Sequence, residues 1–279
     1  MAVLLIWGDH DSGYGDVLQS LFAAGLAEAK PSKREQQSAI DIGAGICAAH
    51  DIDTSDPTGI EQIAPGKVWQ ALSVDLMLAN LSGGDWGWGD PNLVYLLDYW
   101  RDFDPLVKFV LVYASPERTI AELATRDEIA SEKIEAKLAL WRSYNSEILR
   151  FHLANRDRSL LVNIDMLHDD ENVFAGLVCD HLKARNIGRI EGLPAPSREV
   201  GAVFELVATD LIGEAGIEQT DGDNSFSIHA RSLQEFIEKV TVFRKVTDFK
   251  DTEQQKEDDW KLEPLYAKYV EYADIASAH

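Results

Sequence analysis

Ala2-Val3-Leu4-Leu5-Ile6-Trp7 runs without a polar break into Gly8-Asp9-His10-Asp11-Ser12-Gly13-Tyr14-Gly15, and an apolar helix pattern at Val17, Leu18, Leu21 and Phe22 follows at once. A continuous apolar hexamer reads as a strand buried on both faces. Joined through a Gly-rich turn to a helix N-terminus, it makes an anion cradle, because free backbone N–H groups and the helix dipole converge on the turn. Here the turn carries Asp9 and Asp11, where an anion site calls for Lys or Arg. The scaffold of a nucleotide site is present with its electrostatics inverted.

Strand and helix signals continue to alternate over two thirds of the chain. A polar stretch from Lys30 to Gly66, punctuated by Pro31, Pro57 and Pro65, reads as irregular. The spacing of Trp69, Leu72, Leu76 and Ala79 predicts a helix over Val68–Leu81. The Gly-rich run Gly83–Pro91 breaks it, and a short helix is expected over Asn92–Trp100. Lys108–Tyr113 and Ser159–Ile164 read as two further buried strands. Between them Ser115-Pro116 opens a helix, with Pro at its favoured first position, and a long amphipathic pattern runs from Glu128 to Ala154. A helix over Glu171–Lys183 follows. Such alternation predicts a parallel sheet covered on both faces, with ligands at the carboxyl ends of the strands. The turn at Gly8–Gly15 and the segments after Tyr113 and Ile164 then surround one pocket.

Past Pro194-Ala195-Pro196 the pattern becomes helical, with helices expected over Glu199–Ile212, Ile228–Phe249 and Glu253–Ala276. The last carries Trp260, Tyr266, Tyr269 and Tyr272, a sticky face for the core or for a partner. The expected division is an α/β core over residues 1–195 and a helical extension over 196–279.

A net charge of −22 over 279 residues opposes nucleic acid, anionic membranes and polyanionic substrates as partners. It leaves open a solvated acidic surface, cationic partners and metal ions. Two cysteines, Cys47 and Cys179, form neither a disulfide framework nor a zinc spacing, and their apolar neighbours predict two buried small hydrophobes. The apolar start is too short for a signal peptide, and no stretch reaches the roughly 18 apolar residues of a membrane span. A soluble cytoplasmic protein is expected.

The order of these segments resembles the bacterial sulfotransferase-like family, P-loop-related α/β proteins that use 3′-phosphoadenosine 5′-phosphosulfate. The resemblance covers roughly residues 2 to 185. Its motifs are Gly8-x-His10-x-Ser12-Gly13 after the first strand, Trp86-Gly87-Trp88-x-Asp90-Pro91, Phe109–Tyr113 with Pro116, and Trp141-x-x-Tyr144-Asn145. It implies a three-layer α/β fold with a parallel sheet. It also implies a loop for the 5′-phosphosulfate at Gly8, His10, Ser12 and Gly13, with Asp90, Ala114 and Ser115 at the remaining donor positions.

The departures from that pattern remove cations. Asp11 stands where the family has Arg, Gly89 where it has Lys, Asn92 where it has Arg, and Ala114 where the 3′-phosphate Arg belongs. Tyr14 and Gly15 replace the loop hydroxyls, and Glu122 falls where a Ser is expected. One charge pair at about 4 Å is worth roughly 4 kcal/mol at an effective dielectric near 20, so exchanging Arg for Asp11 swings the interaction by up to about 8 kcal/mol. That is more than about five decades of affinity, and sulfuryl transfer needs cations on the transferring oxygens as well.

Other chemistry is conceivable in the same residues. Asp9, Asp11 and Asp90, with the His10 imidazole, have donor types suited to a divalent cation, although Asp9 or Asp11 equally suits a helix cap. His10 beside Ser12 is a weak general-base arrangement, and His10 is equally a family residue retained in a structural hydrogen bond. Trp86 and Trp88 suit a ligand stack or a hydrophobic lid. Asp165, His168, Asp169 and Asp170 read as a solvated loop. The expectation is therefore a sulfotransferase-like pseudoenzyme with no cofactor, no nucleic acid and no membrane, whose scaffold binds a protein partner. Alternatives are an active transferase that reaches 3′-phosphoadenosine 5′-phosphosulfate through Arg118, Lys108 or Arg101, and a metal-dependent enzyme using the acidic turn.

Overall fold

In the computed structural model the apolar hexamer becomes strand β1, Val3–Gly8, every residue of which is buried. It lies in the middle of a five-stranded sheet of order β2-β3-β1-β4-β5. The others are β2 (Ala27–Glu28), β3 (Trp86–Gly89), β4 (Val107–Tyr113) and β5 (Ser159–Asn163), and every pairing is parallel. The structure describes residues 1–9, 12–53, 60–81, 83–120, 131–167, 171–191 and 193. The chain divides into two compact units, Met1–Phe243 and Arg244–His279, and all described residues belong to the first. The helices expected beyond Pro196, and the division at 195, lie outside the described residues.

Helices cover both faces of the sheet, which is the α/β layering expected from the alternation. In β3 successive side chains point to opposite faces. Gly89 backs onto Leu18 and Tyr14 of α1 (Tyr14–Ala23), while Trp88 on the other face meets Trp100 of α4 (Leu97–Phe103) edge-on at 5.1 Å. Register puts Leu5 and Phe109 on the Trp88 side, where Phe109 packs against Phe151 of the long helix α5 (Ser131–Ala154) at 4.7 Å. Trp7 meets Tyr144 of the same helix at 5.7 Å. Burial of this aromatic layer is the main stabilising term of the core.

The structure corrects several expectations. The stretch 30–66 holds a regular helix, α2 (Ala39–Ala49), started by a capping box in which Ser38 and Asp41 bond each other's backbone N–H. Its small residues mask the apolar period, yet Ile42, Ile46 and Cys47 are buried. The Gly-rich run contains β3, a strand too short and too rich in glycine to show alternation. The helix expected over Asn92–Trp100 is a 3₁₀ turn at Leu93–Tyr95 followed by α4. The Val68–Leu81 helix is present as α3, Lys67–Asn80, and that over Glu171–Lys183 ends at Asp180. Cys47 is buried, and desolvation pushes its thiol up to about 12, but Cys179 is only half-buried.

Asp85 ties the start of β1 to residues far along the chain. Its carboxylate, on a residue only 2% exposed, accepts from the backbone N–H of Ala2 at 2.6 Å, of Asn186 at 3.0 Å, and of Arg185. Burial pushes this carboxyl up, and the three N–H groups outweigh that and hold it below its usual range. The group therefore stabilises the fold above its unfolded pKa and loses that contribution as pH falls through its folded value. Asp85→Ala strands three amides, and urea denaturation is expected to show a loss of roughly 3–5 kcal/mol. A loss below about 1 kcal/mol would mean that water replaces the carboxylate at those amides.

Candidate functional site

Parallel order brings the carboxyl ends of β3, β1, β4 and β5 side by side, and the Gly8–Gly15 turn leaves the central strand at that edge. Ser12 N–H donates to the Asp9 carbonyl at 2.8 Å, which tightens the turn, and Gly13 adopts φ 73°, a left-handed value that glycine tolerates without penalty. Helix α1 then starts with no side-chain cap. A Cβ on Gly13 would lie 3.0 Å from Ile164 and 3.8 Å from an Arg118 guanidinium nitrogen. The turn, the helical run 116–120 after β4 and the segment after β5 therefore meet around one site, as the sheet-edge argument requires. His10 and Asp11 lie outside the described residues.

Lys137 and Arg118 reach this edge, and each meets a carboxylate of the chain. Lys137 of α5 donates to Asp9 Oδ2 at 3.2 Å, their side chains 15% and 5% exposed. Arg118 donates through Nη1 to Asp165 Oδ1 at 2.7 Å, and its Nε has no hydrogen-bond partner among the described residues. Asp165 is thus no solvated loop residue. It sits in a one-turn helix, α6 (Ile164–Leu167), half-buried against Arg118. Lys108 and Arg101 serve elsewhere: Lys108 is the second residue of β4, at the opposite end of the strand, and Arg101 pairs with Asp98 at 2.5 Å and Asp102 at 2.8 Å. Lys137 was the residue that sequence reasoning missed. It lies one turn before Trp141 on the same helix face, and the spacing 137, 141, 144 is the only signal that could have found it.

The remaining positions expected at a donor site have structural roles. Ser115 caps the next helix, its Oγ accepting from Arg118 N–H at 3.2 Å, and the buried Ala114 carbonyl accepts from Trp141 Nε1 at 3.1 Å. Ser12 is 3% exposed, with its hydroxyl turned back toward Gly8. Trp86 and Trp88 stack on each other at 5.5 Å and are buried, so they belong to the core and offer no face to a ligand. A Cβ on Gly89 would fall 2.8 Å from Leu18 Cδ2 and 3.1 Å from Tyr14 Cε2. Tyr14 thus fills the space that a longer side chain at 89 would occupy, and two departures from the resembled pattern are a single packing arrangement.

Asp90 follows β3 and is fully buried. Oδ1 accepts from Asn92 N–H at 2.8 Å, and Oδ2, pressed against Gly43 of α2, has no partner among the described residues. Desolvation pushes its carboxyl up to about 7 against the weaker pull of Asn92. Burial, and then the charge of Asp90, push the Tyr14 phenol up as well. Among the described residues no three His, Cys, Asp or Glu side chains gather as metal ligands do.

Comparison with known proteins adds sequence kinship over part of the chain. No family model matches it. The protein transport protein SEC31 of Phaeosphaeria nodorum is 88% identical over 65 residues, 23% of this chain and 5% of that protein. SEC31 of Pyricularia oryzae is 64% identical over 86 residues, covering 29% and 7%, and sec31 of Aspergillus fumigatus 58% over 124 residues, covering 39% and 10%. The chain thus spans 5% to 10% of the length of these relatives. Among solved structures, a sulfotransferase domain from the curacin biosynthetic pathway aligns at TM-score 0.37 and 13% identity, over 75% of this chain and 97% of that one. The α/β architecture rests on the sheet itself. No helix among the described residues is long and apolar enough to cross a membrane.

Two outcomes follow from the packing at this edge. Gly89→Lys should destabilise the fold by about 1–3 kcal/mol in thermal or urea melts, and Tyr14→Ser in the same chain should recover part of the loss, Leu18 remaining the nearer contact. No recovery would place the obstacle at Leu18. An acid whose pKa is raised by folding opposes stability once pH exceeds its unfolded value, so Asp90 lowers stability between about pH 4 and pH 7, by up to ~4 kcal/mol. Asp90→Asn should flatten that part of the stability–pH curve, and an unchanged curve would show that Asp90 is hydrated in solution.

Proposed function

We propose that this chain is a sulfotransferase-like binding module without transferase activity, whose P-loop-related scaffold serves protein assembly. The observation that carries the reading is the pair formed by Asp9 and Lys137 at the mouth of the cradle. A phosphosulfate needs uncompensated positive charge at this turn. Here Lys137 is neutralised by a buried carboxylate from the turn itself, and Arg118 by Asp165. An incoming anion must compete with both carboxylates and face the charge of Asp9 at close range. Tyr14 against Gly89 closes the route by which a lysine would compensate. The residues at the turn therefore do not suit 3′-phosphoadenosine 5′-phosphosulfate. The high identity to segments of protein transport proteins supports an assembly role, since it ties part of the chain to proteins of that description.

A second reading is supported by the same two cations. Lys137 and Arg118 both stand at the turn, and Arg118 Nε is unused among the described residues, so an anion that displaced Asp9 and Asp165 would meet an ammonium and a guanidinium. That is the arrangement an active transferase with a rearranged donor site requires.

Calorimetric titration with adenosine 3′,5′-bisphosphate separates the two. The module reading expects no heat from the unmodified chain. It expects measurable binding to appear in Asp9→Asn, which removes the charge that repels an incoming anion, with affinity at least roughly tenfold above the unmodified chain. Micromolar binding by the unmodified chain would overturn it and establish the second reading.

A further inference from the structure

Helix α2 (Ala39–Ala49) is a weak helix that rests on a buried acid. Gly43 and Gly45 lie in its middle, where glycine loses more backbone freedom than any other residue. Gln36 before it and Asp51 after it both hold φ 54°, a left-handed value that residues with a side chain adopt at a cost. At the two glycines the helix comes closest to its neighbours. A Cβ on Gly43 would fall on Asp90 Oδ2, and one on Gly45 would fall on the Trp69 ring of α3. Ile42, Ile46 and Cys47 complete the buried face. The atom beneath Gly43 is thus the carboxylate oxygen that has no hydrogen-bond partner among the described residues, on a fully buried side chain.

We propose that α2 is a flap over the carboxyl end of β3, seated while Asp90 carries its proton and lifted when Asp90 is charged. A buried charge needs water or a hydrogen-bond donor. In the seated position Oδ2 faces the middle of a helix, whose N–H groups there serve the helix itself. Of the elements around Asp90, α2 is the one able to give way. Strand β3 is paired on both sides by β1 and β2, and α1 runs directly out of the turn that follows β1. Helix α2 instead hangs between two left-handed residues that suit hinges. Among the described residues the titratable groups facing Asp90 are the Tyr14 phenol of α1 and the Cys47 thiol of α2, and burial followed by the Asp90 charge pushes both up. Neither supplies positive charge. Burial raises the Asp90 carboxyl to about 7 in the seated arrangement, whereas a hydrated one titrates near pH ~4. Linkage therefore favours the lifted form by about tenfold per pH unit between those values and levels off above them. Lifting uncovers Ile42, Ile46 and the Trp69 ring, so the surface at this edge changes between mildly acid and neutral pH.

Cys47 reports the opening, because it lies on the buried face of α2. The full chain is treated with 4,4′-dithiodipyridine across this pH range, and the rate at Cys47, read by peptide mass, is divided by the rate for glutathione at the same pH. The normalised rate should climb roughly fiftyfold between about pH 5 and about pH 7 and level off near about pH 8. Hydrogen exchange over residues 43–50, corrected for the intrinsic rate, should rise with it and run at least roughly tenfold ahead of residues 73–80 of α3. Asp90→Asn cannot ionise, so its profile should be flat. A flat profile in the unmodified chain, or the same climb in Asp90→Asn, overturns the proposal. Equal exchange in α2 and α3 at every pH marks unfolding of the whole sheet, and it overturns the flap even where Asp90→Asn fails to fold.

Discussion

Parallel pairing of Val3–Gly8 with strands on both sides is the constraint from which the rest of this molecule follows. A central strand buried on both faces must be apolar throughout, and it must leave the sheet at the same edge as its neighbours. That edge then collects Asp9, Asp90, the run after Tyr113 and the turn after Asn163. None of these segments is close in sequence. Asp85 at the opposite edge closes the arrangement, since the carboxylate that receives Ala2 also receives Arg185 and Asn186. The sheet thus has an apolar middle, one edge tied by a single buried acid and another edge where charges gather.

Lys137 and Arg118 at that second edge are balanced internally. Moving Lys137 or Arg118 out of water is offset by Asp9 and Asp165, each pair held at hydrogen-bonding distance. A site meant for an anionic ligand leaves this offset to the ligand, so its cations are poorly compensated until the ligand arrives. Here compensation is built in. The folded chain gains what the ligand would otherwise supply, and affinity for an outside anion falls by the same interaction.

Much of the architecture was legible in the sequence, for identifiable reasons. β1 and β4 are long apolar runs, and β5 is a shorter one bounded by Ser159 and Asn163. β3 was not legible because two of its four residues are glycines, each allowing close approach of a neighbour: the Leu4 backbone at Gly87 and the α1 side chains at Gly89. α2 was hidden by its alanines and glycines, although Ser38 and Asp41 were a capping signal three residues apart. At the site, the lack of cations where the resembled pattern has them was legible. The arrival of Lys137 from a helix more than a hundred residues later was not, because the contact depends on how α5 lies across the sheet. Asp165 was misread for the same reason, since its partner Arg118 is brought to it only by the adjacency of β4 and β5.

The residues at the carboxyl end of β3 are coupled in space, and that coupling bears on what this edge can hold. A side chain at 89 would meet both Leu18 and Tyr14, whose nearest atoms lie 2.8 Å and 3.1 Å from where its Cβ would stand. Overlap at that range forces neighbouring side chains to shift and costs stability. The packing of α1 against β3 thus occupies the space that a long side chain at 89 would need, whichever charge that side chain carried.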